Sequence, residues 1–179
     1  RDSDSSSGTI TLTDTQDNSN IVFNNNVTAD NFVTAAQGYD IFLLGNATFA
    51  NAVTFQNTGT LDLGNATSDT LTFNGGVTEN TGGTVNIHGA IVSSNDAISF
   101  GAISLGQNLS VTSAGGAISI GAISAASSRD VTITSSGGST NTVTLSTLSS
   151  NINTVAITGS TSVTLNGNIT TDNSSGNSV

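Results

Sequence analysis

Residues 61–108 read LDLGNATSDTLTFNGGVTENTGGTVNIHGAIVSSNDAISFGAISLGQN, and one pattern passes through them twice. Leu61 and Leu63 are followed by Leu71 and Phe73 and then by Val77. Val85 and Ile87 open a second copy, followed by Ile98 and Phe100 and then by Ile103. Leu61 to Val85 is a step of 24 in the numbering, and so are Leu63 to Ile87, Val85 to Leu109 and Ile87 to Val111. A short apolar-x-apolar triplet returning at a fixed period of this size marks a repeat architecture.

Outward from this stretch the triplets form ladders. The first runs Ile21/Phe23, Ile41/Leu43, Leu61/Leu63, Val85/Ile87, Leu109/Val111, Val131/Ile133 and Val155/Ile157, in steps of 20, 20, 24, 24, 22 and 24 in the numbering. The second runs Val27/Ala29, Ala47/Phe49, Leu71/Phe73, Ile98/Phe100, Ile118/Ile120, Val143/Leu145 and Val163/Leu165. A third apolar position follows at Val33, Val53, Val77, Ile103, Ile123, Leu148 and Ile169. Length varies mainly between the first and second segments, in the Gly-, Asn-, Ser- and Asp-rich stretches 64–69, 93–96 and 135–141. Such residues form turns, which absorb insertions without disturbing stacked strands.

Side chains of a strand alternate between its two faces. In Val143-Thr144-Leu145, Leu71-Thr72-Phe73 and Ile98-Ser99-Phe100, one face is therefore apolar and the other hydroxyl. No segment carries a sustained i, i+3, i+4, i+7 apolar stripe, so no helix is expected. The expected fold is all-β. It is a right-handed parallel β-helix (a β-solenoid) of about seven coils of roughly 20–24 residues, with three short strands per coil. Its stack would be on the order of 34 Å long at about 4.8 Å per coil, each coil burying roughly five or six aliphatic side chains worth about 1.5–3 kcal/mol each. A sandwich of hairpins is the competing all-β architecture, but it has no reason to repeat a three-segment unit in constant order. Residues 1–8 read as a frayed polar segment, 9–170 as a single solenoid, and 171–179 as a polar tail or the start of a further coil.

Composition narrows the function. The 179 residues include only 8% charged ones, with Arg1 and Arg129 as the only basic residues besides one His, and a net charge of −10. Ordinary soluble domains carry about 25% charged residues, so Ser, Thr and Asn must make this surface soluble. With almost nothing to neutralise phosphates, nucleic acid is not an expected partner, nor is electrostatic docking on an anionic membrane. No apolar run approaches membrane-spanning length, and residues 1–7 show no signal-peptide core. There is no Cys, hence no disulfide framework or thiolate metal site. The absence of Cys, Lys, Pro, Met and Trp fits an exported bacterial surface protein better than a cytosolic enzyme, and the ends read as cuts in something longer.

Candidate chemical residues are few. His88, the only His, follows the inward Ile87 and begins a turn, with no ligand spacing around it. Glu79, the only Glu, reads as a solvated residue in the turn 79–83. Arg129-Asp130 reads as a surface pair in a turn before Val131. Asp40 and Asp62 lie 22 positions apart, close to one coil, but in registers that differ by two, and a Ca²⁺ site would need several more oxygens. No catalytic, cofactor or metal site is expected, and no enzyme activity. The pairs Thr70/Thr72, Thr132/Thr134 and Thr142/Thr144 raise ice binding, which needs one regular hydroxyl array. The ladders divide these pairs between two rows, and ordinary strand propensity explains a Thr-rich outer face. Glycosylation sequons stand at Asn26, Asn46, Asn65, Asn108, Asn168 and Asn173, as chance provides in a chain of this composition.

The segments TLDLGNA (60–66) and TLTFNGGV (70–77) resemble passenger-domain repeats of bacterial autotransporters, closest in flavour to the surface-layer autotransporters of rickettsia-like bacteria. Residues 109–123, LSVTSAGGAISIGAI, resemble filamentous-haemagglutinin-type repeats of secreted adhesins. The resemblance runs from Ile21 to Ile169 and implies an extracellular stalk or coat of stacked coils. The expected role is structural and adhesive: a stalk, surface-layer or extracellular-fibre component, with the chain itself or a neighbouring cell surface as partner. The alternative is a non-catalytic solenoid that binds ice or glycan.

Overall fold

A computed structural model describes residues 8–13, 16–80, 82–137 and 141–171. The expected terminal segment 1–8 and tail 171–179 therefore lie almost wholly outside the described residues. Among those described there is no helix; the chain winds through three parallel sheets as a β-solenoid of about eight turns. We number strands in chain order. Sheet A has eight: β1 (Thr9–Leu12), β4 (Asn31–Thr34), β7 (Val53–Phe55), β10 (Val77–Glu79), β13 (Ile98–Phe100), β16 (Ile118–Ile120), β19 (Thr142–Leu145) and β21 (Ser162–Leu165). Sheet B has six: β2 (Asn20–Phe23), β5 (Asp40–Leu43), β8 (Leu61–Leu63), β11 (Val85–Ile87), β14 (Ile103–Leu105) and β17 (Ile123–Ala125). Single bridges through Leu148 and Ile169 continue it. Sheet C has seven: β3 (Val27–Ala29), β6 (Ala47–Phe49), β9 (Thr70–Phe73), β12 (Ala90–Ser93), β15 (Leu109–Ser113), β18 (Arg129–Ser135) and β20 (Ile152–Thr158). Each complete coil runs B, C, A, and the eight strands of sheet A span about 34 Å at about 4.8 Å per strand.

The stacking corrects the ladders after Val85. Val85 pairs with Ile103 and not with Leu109, so this coil closes sooner than the sequence ladder has it. Leu109/Val111, Val131/Ile133 and Val155/Ile157 belong to sheet C, whereas Ile98/Phe100, Ile118/Ile120, Val143/Leu145 and Val163/Leu165 belong to sheet A. The slip arises at β12. Its sequence Ala-Ile-Val-Ser places Ile91 inward and fully buried, but Val92 outward, so apolar residues fall on both faces and the alternation is obscured. Val33 is a second correction. It is 46% exposed, and its neighbours Phe32 and Thr34 face inward. Thr34 is tolerated inside because its hydroxyl donates to Thr54 O at 3.1 Å and accepts from Gln56 N at 2.8 Å. The longer turns are also divided between corners: 64–69 separates sheets B and C, and 93–96 separates C and A.

The interior changes character along the stack. Phe23, Phe32, Phe49, Phe55 and Phe73 form a chain of ring contacts with centroids 5.0–6.1 Å apart, spacing at which aromatic pairs add about 0.5–1.5 kcal/mol beyond area burial. Above Phe73 the same inward column becomes Ser93, Ser113 and Ser135, all buried. These serines hold the C-to-A corner. Ser93 and Ser113 donate to Asp96 O, Ser113 accepts from Gly116 N at 2.8 Å, and Ser135 donates to Gly116 O. Tyr39 is fully buried near the first coils; its hydroxyl donates to Leu12 O and accepts from Ala35 N at 2.8 Å. At the other end Leu145, Leu148, Ile157, Val163, Leu165 and Ile169 contribute to an open apolar cavity of about 490 Å³.

Candidate functional site

Three outer faces follow from the three sheets, and they differ in chemistry. The central outward column of sheet B reads Val22, Phe42, Asp62, Asn86, Ser104, Ser124 in register. That of sheet A reads Thr11, Val33, Thr54, Thr78, Ser99, Ser119, Thr144, Thr164. That of sheet C reads Thr28, Thr48, Thr72, Val92, Thr112, Thr134, Thr158. A second outward column flanks it on the same sheet, Thr70, Ala90, Ser110, Thr132, Ala156. The division of Thr-x-Thr pairs expected from sequence is therefore overturned. Thr70/Thr72 and Thr132/Thr134 share sheet C, and only Thr142/Thr144 stands apart, on sheet A.

The acidic residues do not converge. Each described one accepts hydrogen bonds, most from the neighbouring coil. Asp17 accepts from Gly38 N, Asp30 from Gly8 N, Asp40 from Thr60 N at 2.6 Å and Asp62 from Asn86 Nδ2. Asp69 caps its own turn, accepting from Asn65 N at 2.8 Å and Ala66 N at 2.9 Å. Asp96 accepts from Ser94 within its turn. Glu79 ends β10, and is only half-exposed where a solvated turn residue was expected; its carboxylate accepts from Gly82 N and from Gly101 N at 2.9 Å, tying two corners together. Turns of a solenoid leave backbone N–H groups that no strand ladder satisfies, and a carboxylate one coil away is an acceptor of suitable reach. Asp40 and Asp62 stand two positions out of register, as their spacing implies, Asp40 beside Asn20 and Asp62 between Phe42 and Asn86.

Arg129 and Asp130 lie in β18 rather than in a turn. They bond to different neighbours. Arg129 donates to Gly106 O at 2.7 Å and Ser128 O at 3.3 Å, while Asp130 accepts from Thr154 Oγ1 at 2.7 Å and Asn153 Nδ2 at 2.9 Å. The Thr154 hydroxyl, then the Asn153 amide, holds the Asp130 carboxyl below the usual aspartate range, against a smaller opposing effect of burial. His88 follows β11, and its imidazole lies over Gly106, where a Cβ would fall on the ring. His88 thus fills the space that the glycine leaves at the B-to-C corner. Among the described residues no group of three or more His, Asp or Glu is arranged to hold a metal ion.

Sequence reasoning missed the buried polar residues Tyr39, Asn57, Ser93, Ser113 and Ser135. Asn57 donates to Thr60 O at 3.2 Å and Tyr39 O at 3.4 Å, closing the A-to-B corner. The available signal was positional: Ser93, Ser113 and Ser135 each follow an apolar-x pair at the place where Phe49 and Phe73 stand in earlier coils. No family model matches the chain, and neither curated proteins nor solved structures match it.

Proposed function

We propose that the chain is a structural β-solenoid segment of a large exported bacterial cell-surface protein, serving as stalk, surface-layer or extracellular-fibre component. The observation that carries this reading is the use made of charge. The described acidic groups hold turns and successive coils together, and Arg129 is engaged with backbone carbonyls. What remains outside is largely hydroxyl and amide surface, suited to a rod that spaces or tiles. The open apolar cavity at Leu145, Ile157, Val163 and Leu165 offers a surface on which a further coil can stack. The sequence resemblance to autotransporter and haemagglutinin-type repeats supports the same reading, with the chain itself or a neighbouring cell surface as partner and no enzymatic step.

Electron microscopy of the purified chain over a concentration series tests it. Rods that lengthen end to end or associate side by side support a coat or fibre. Isolated short particles at every concentration remove those two roles and leave the spacer role alone. Saturable turnover of a polysaccharide or ester substrate by the purified chain would overturn the structural reading.

A further inference from the structure

We propose that the outer face of sheet C is an ice-binding surface. The inference goes beyond the structural role above and does not depend on it. It rests on a register that only the folded chain displays: Thr28, Thr48, Thr72, Thr112, Thr134 and Thr158 stand in one column interrupted by Val92 alone. Strand propensity favours Thr on any exposed strand. All three sheets of this protein are parallel and share one interior, so propensity acts on each alike. Yet the matching column of sheet B carries Val, Phe, Asp, Asn and Ser, and that of sheet A mixes Thr with Ser99, Ser119 and Val33. The near-uniform column is particular to sheet C.

The geometry of that face suits a lattice of water. Threonines of the central column repeat about every 4.8 Å across the strands, and Thr70 and Thr132 add a second threonine about 6.6 Å along the strand on two of the coils, the flanking column being otherwise Ala90, Ser110 and Ala156. The inter-strand repeat lies close to an oxygen spacing within hexagonal ice. A β-branched side chain is stiff at χ1, so the ladder holds each hydroxyl and its γ-methyl in a limited set of positions before any water binds. Such preorganisation lowers the entropic cost of ordering a surface layer. The hydroxyls are also unspent. Thr134 and Thr158 bond to each other at 3.2 Å, but the hydroxyls of Thr28, Thr48, Thr72 and Thr112 bond to no other described residue. Each can donate one and accept further hydrogen bonds.

Two absences within these columns separate ice from other flat lattices. Neither column contains a charged residue, which would hold a hydration shell of its own; the one carboxylate on this face among the described residues, Asp130, lies outside them, two positions before Thr132, and accepts from Thr154 and Asn153. Neither contains an aromatic ring, the group on which the apolar face of a sugar would stack. A crystalline polysaccharide is thus the less suited occupant.

The test is partition of the full chain into a slowly grown ice shell, together with inhibition of ice recrystallisation. Three proteins are compared: the unaltered chain, T72K/T112K on sheet C, and T78K/S119K on sheet A. The unaltered chain and T78K/S119K should be enriched several-fold in the ice over the liquid, with T72K/T112K falling to the level of an unrelated soluble protein. Circular dichroism establishes that each variant keeps its sheet, and the single T112K replaces the double variant if that one unfolds. Exclusion of the unaltered chain from ice overturns the proposal. So does equal loss in the two variants, or adsorption to crystalline chitin or cellulose without any effect on ice.

Discussion

Ile120 faces the interior from β16, is 1% exposed, and stacks between Phe100 and Leu145. Ser119, its neighbour, faces solvent between Ser99 and Thr144. Replacing each by Asp adds the same charge at adjacent positions. For Ile120→Asp, burial of the isoleucine is lost, at about 1.5–3 kcal/mol. The new carboxyl has no partner among Phe100, Leu145 and their neighbours. Burial raises the pKa of such a group, and keeping it protonated at pH 7, about 3 units above its unfolded value, costs about 4 kcal/mol. The sum, about 6–7 kcal/mol, is comparable with the whole stability of an ordinary domain, about 5–15 kcal/mol. Because repeats contact only their neighbours, the coils around β16 should unravel first. Ser119→Asp should change stability by no more than about 0.5 kcal/mol. Urea unfolding followed by circular dichroism measures both. A buried carboxyl has a raised pKa in the folded state, so its penalty grows as pH rises above the unfolded value. Ile120→Asp should therefore be less destabilised at about pH 5.5 than at about pH 8, by roughly 2–3 kcal/mol. Equal stability of the two variants, or no pH dependence of their difference, would refute the placement of this column inside the solenoid.

Two further outcomes follow from the register and the corner contacts. Asn86 and Ser104 are outward neighbours on β11 and β14, so N86C/S104C should oxidise to a disulfide worth about 3 kcal/mol for a loop of this size. Mass spectrometry of proteolytic fragments reads the bridge, and cross-linking of N86C/S110C in its place would restore the longer ladder that the sequence suggests. Asp130 is held below the usual aspartate range by Thr154 and Asn153, so its stabilising effect is complete above the unfolded carboxyl value and is lost as pH falls through its lower folded value. The melting temperature of D130N should accordingly lie below that of the unaltered chain near pH 6, with the gap closing in strong acid; a gap that persists there contradicts the assignment.

Much of this molecule follows from short-range pattern. Leu-Asp-Leu at 61–63 and Leu-Thr-Phe at 71–73 state which residues face inward, because alternation along a strand is a local property. Their return roughly every 20–24 residues, with turn formers between them, is enough to exclude helices and to require stacked coils. Scarce charge and absent Cys narrow the chemistry in the same way. None of these inferences depends on which strand lies beside which.

The stacking partner of each strand was decided only by the tertiary structure. An inward Ile-x-Phe packs on an inward Val-x-Ile as readily as on another, so the triplets are nearly interchangeable, and their phase depends on how much chain closes each turn. The coil from Val85 to Ile103 closes sooner than the one from Leu61 to Val85, and β12 hides within it with apolar side chains on both faces. Counting triplets therefore slips by one sheet at that point. Everything that depends on registering residues a full coil apart slips with it. The threonine column of sheet C, the serines that replace phenylalanine at the C-to-A corner, and the carboxylates that bond the next turn all join residues a whole coil apart in the chain. They become neighbours only when closure of each turn brings them one strand spacing from each other.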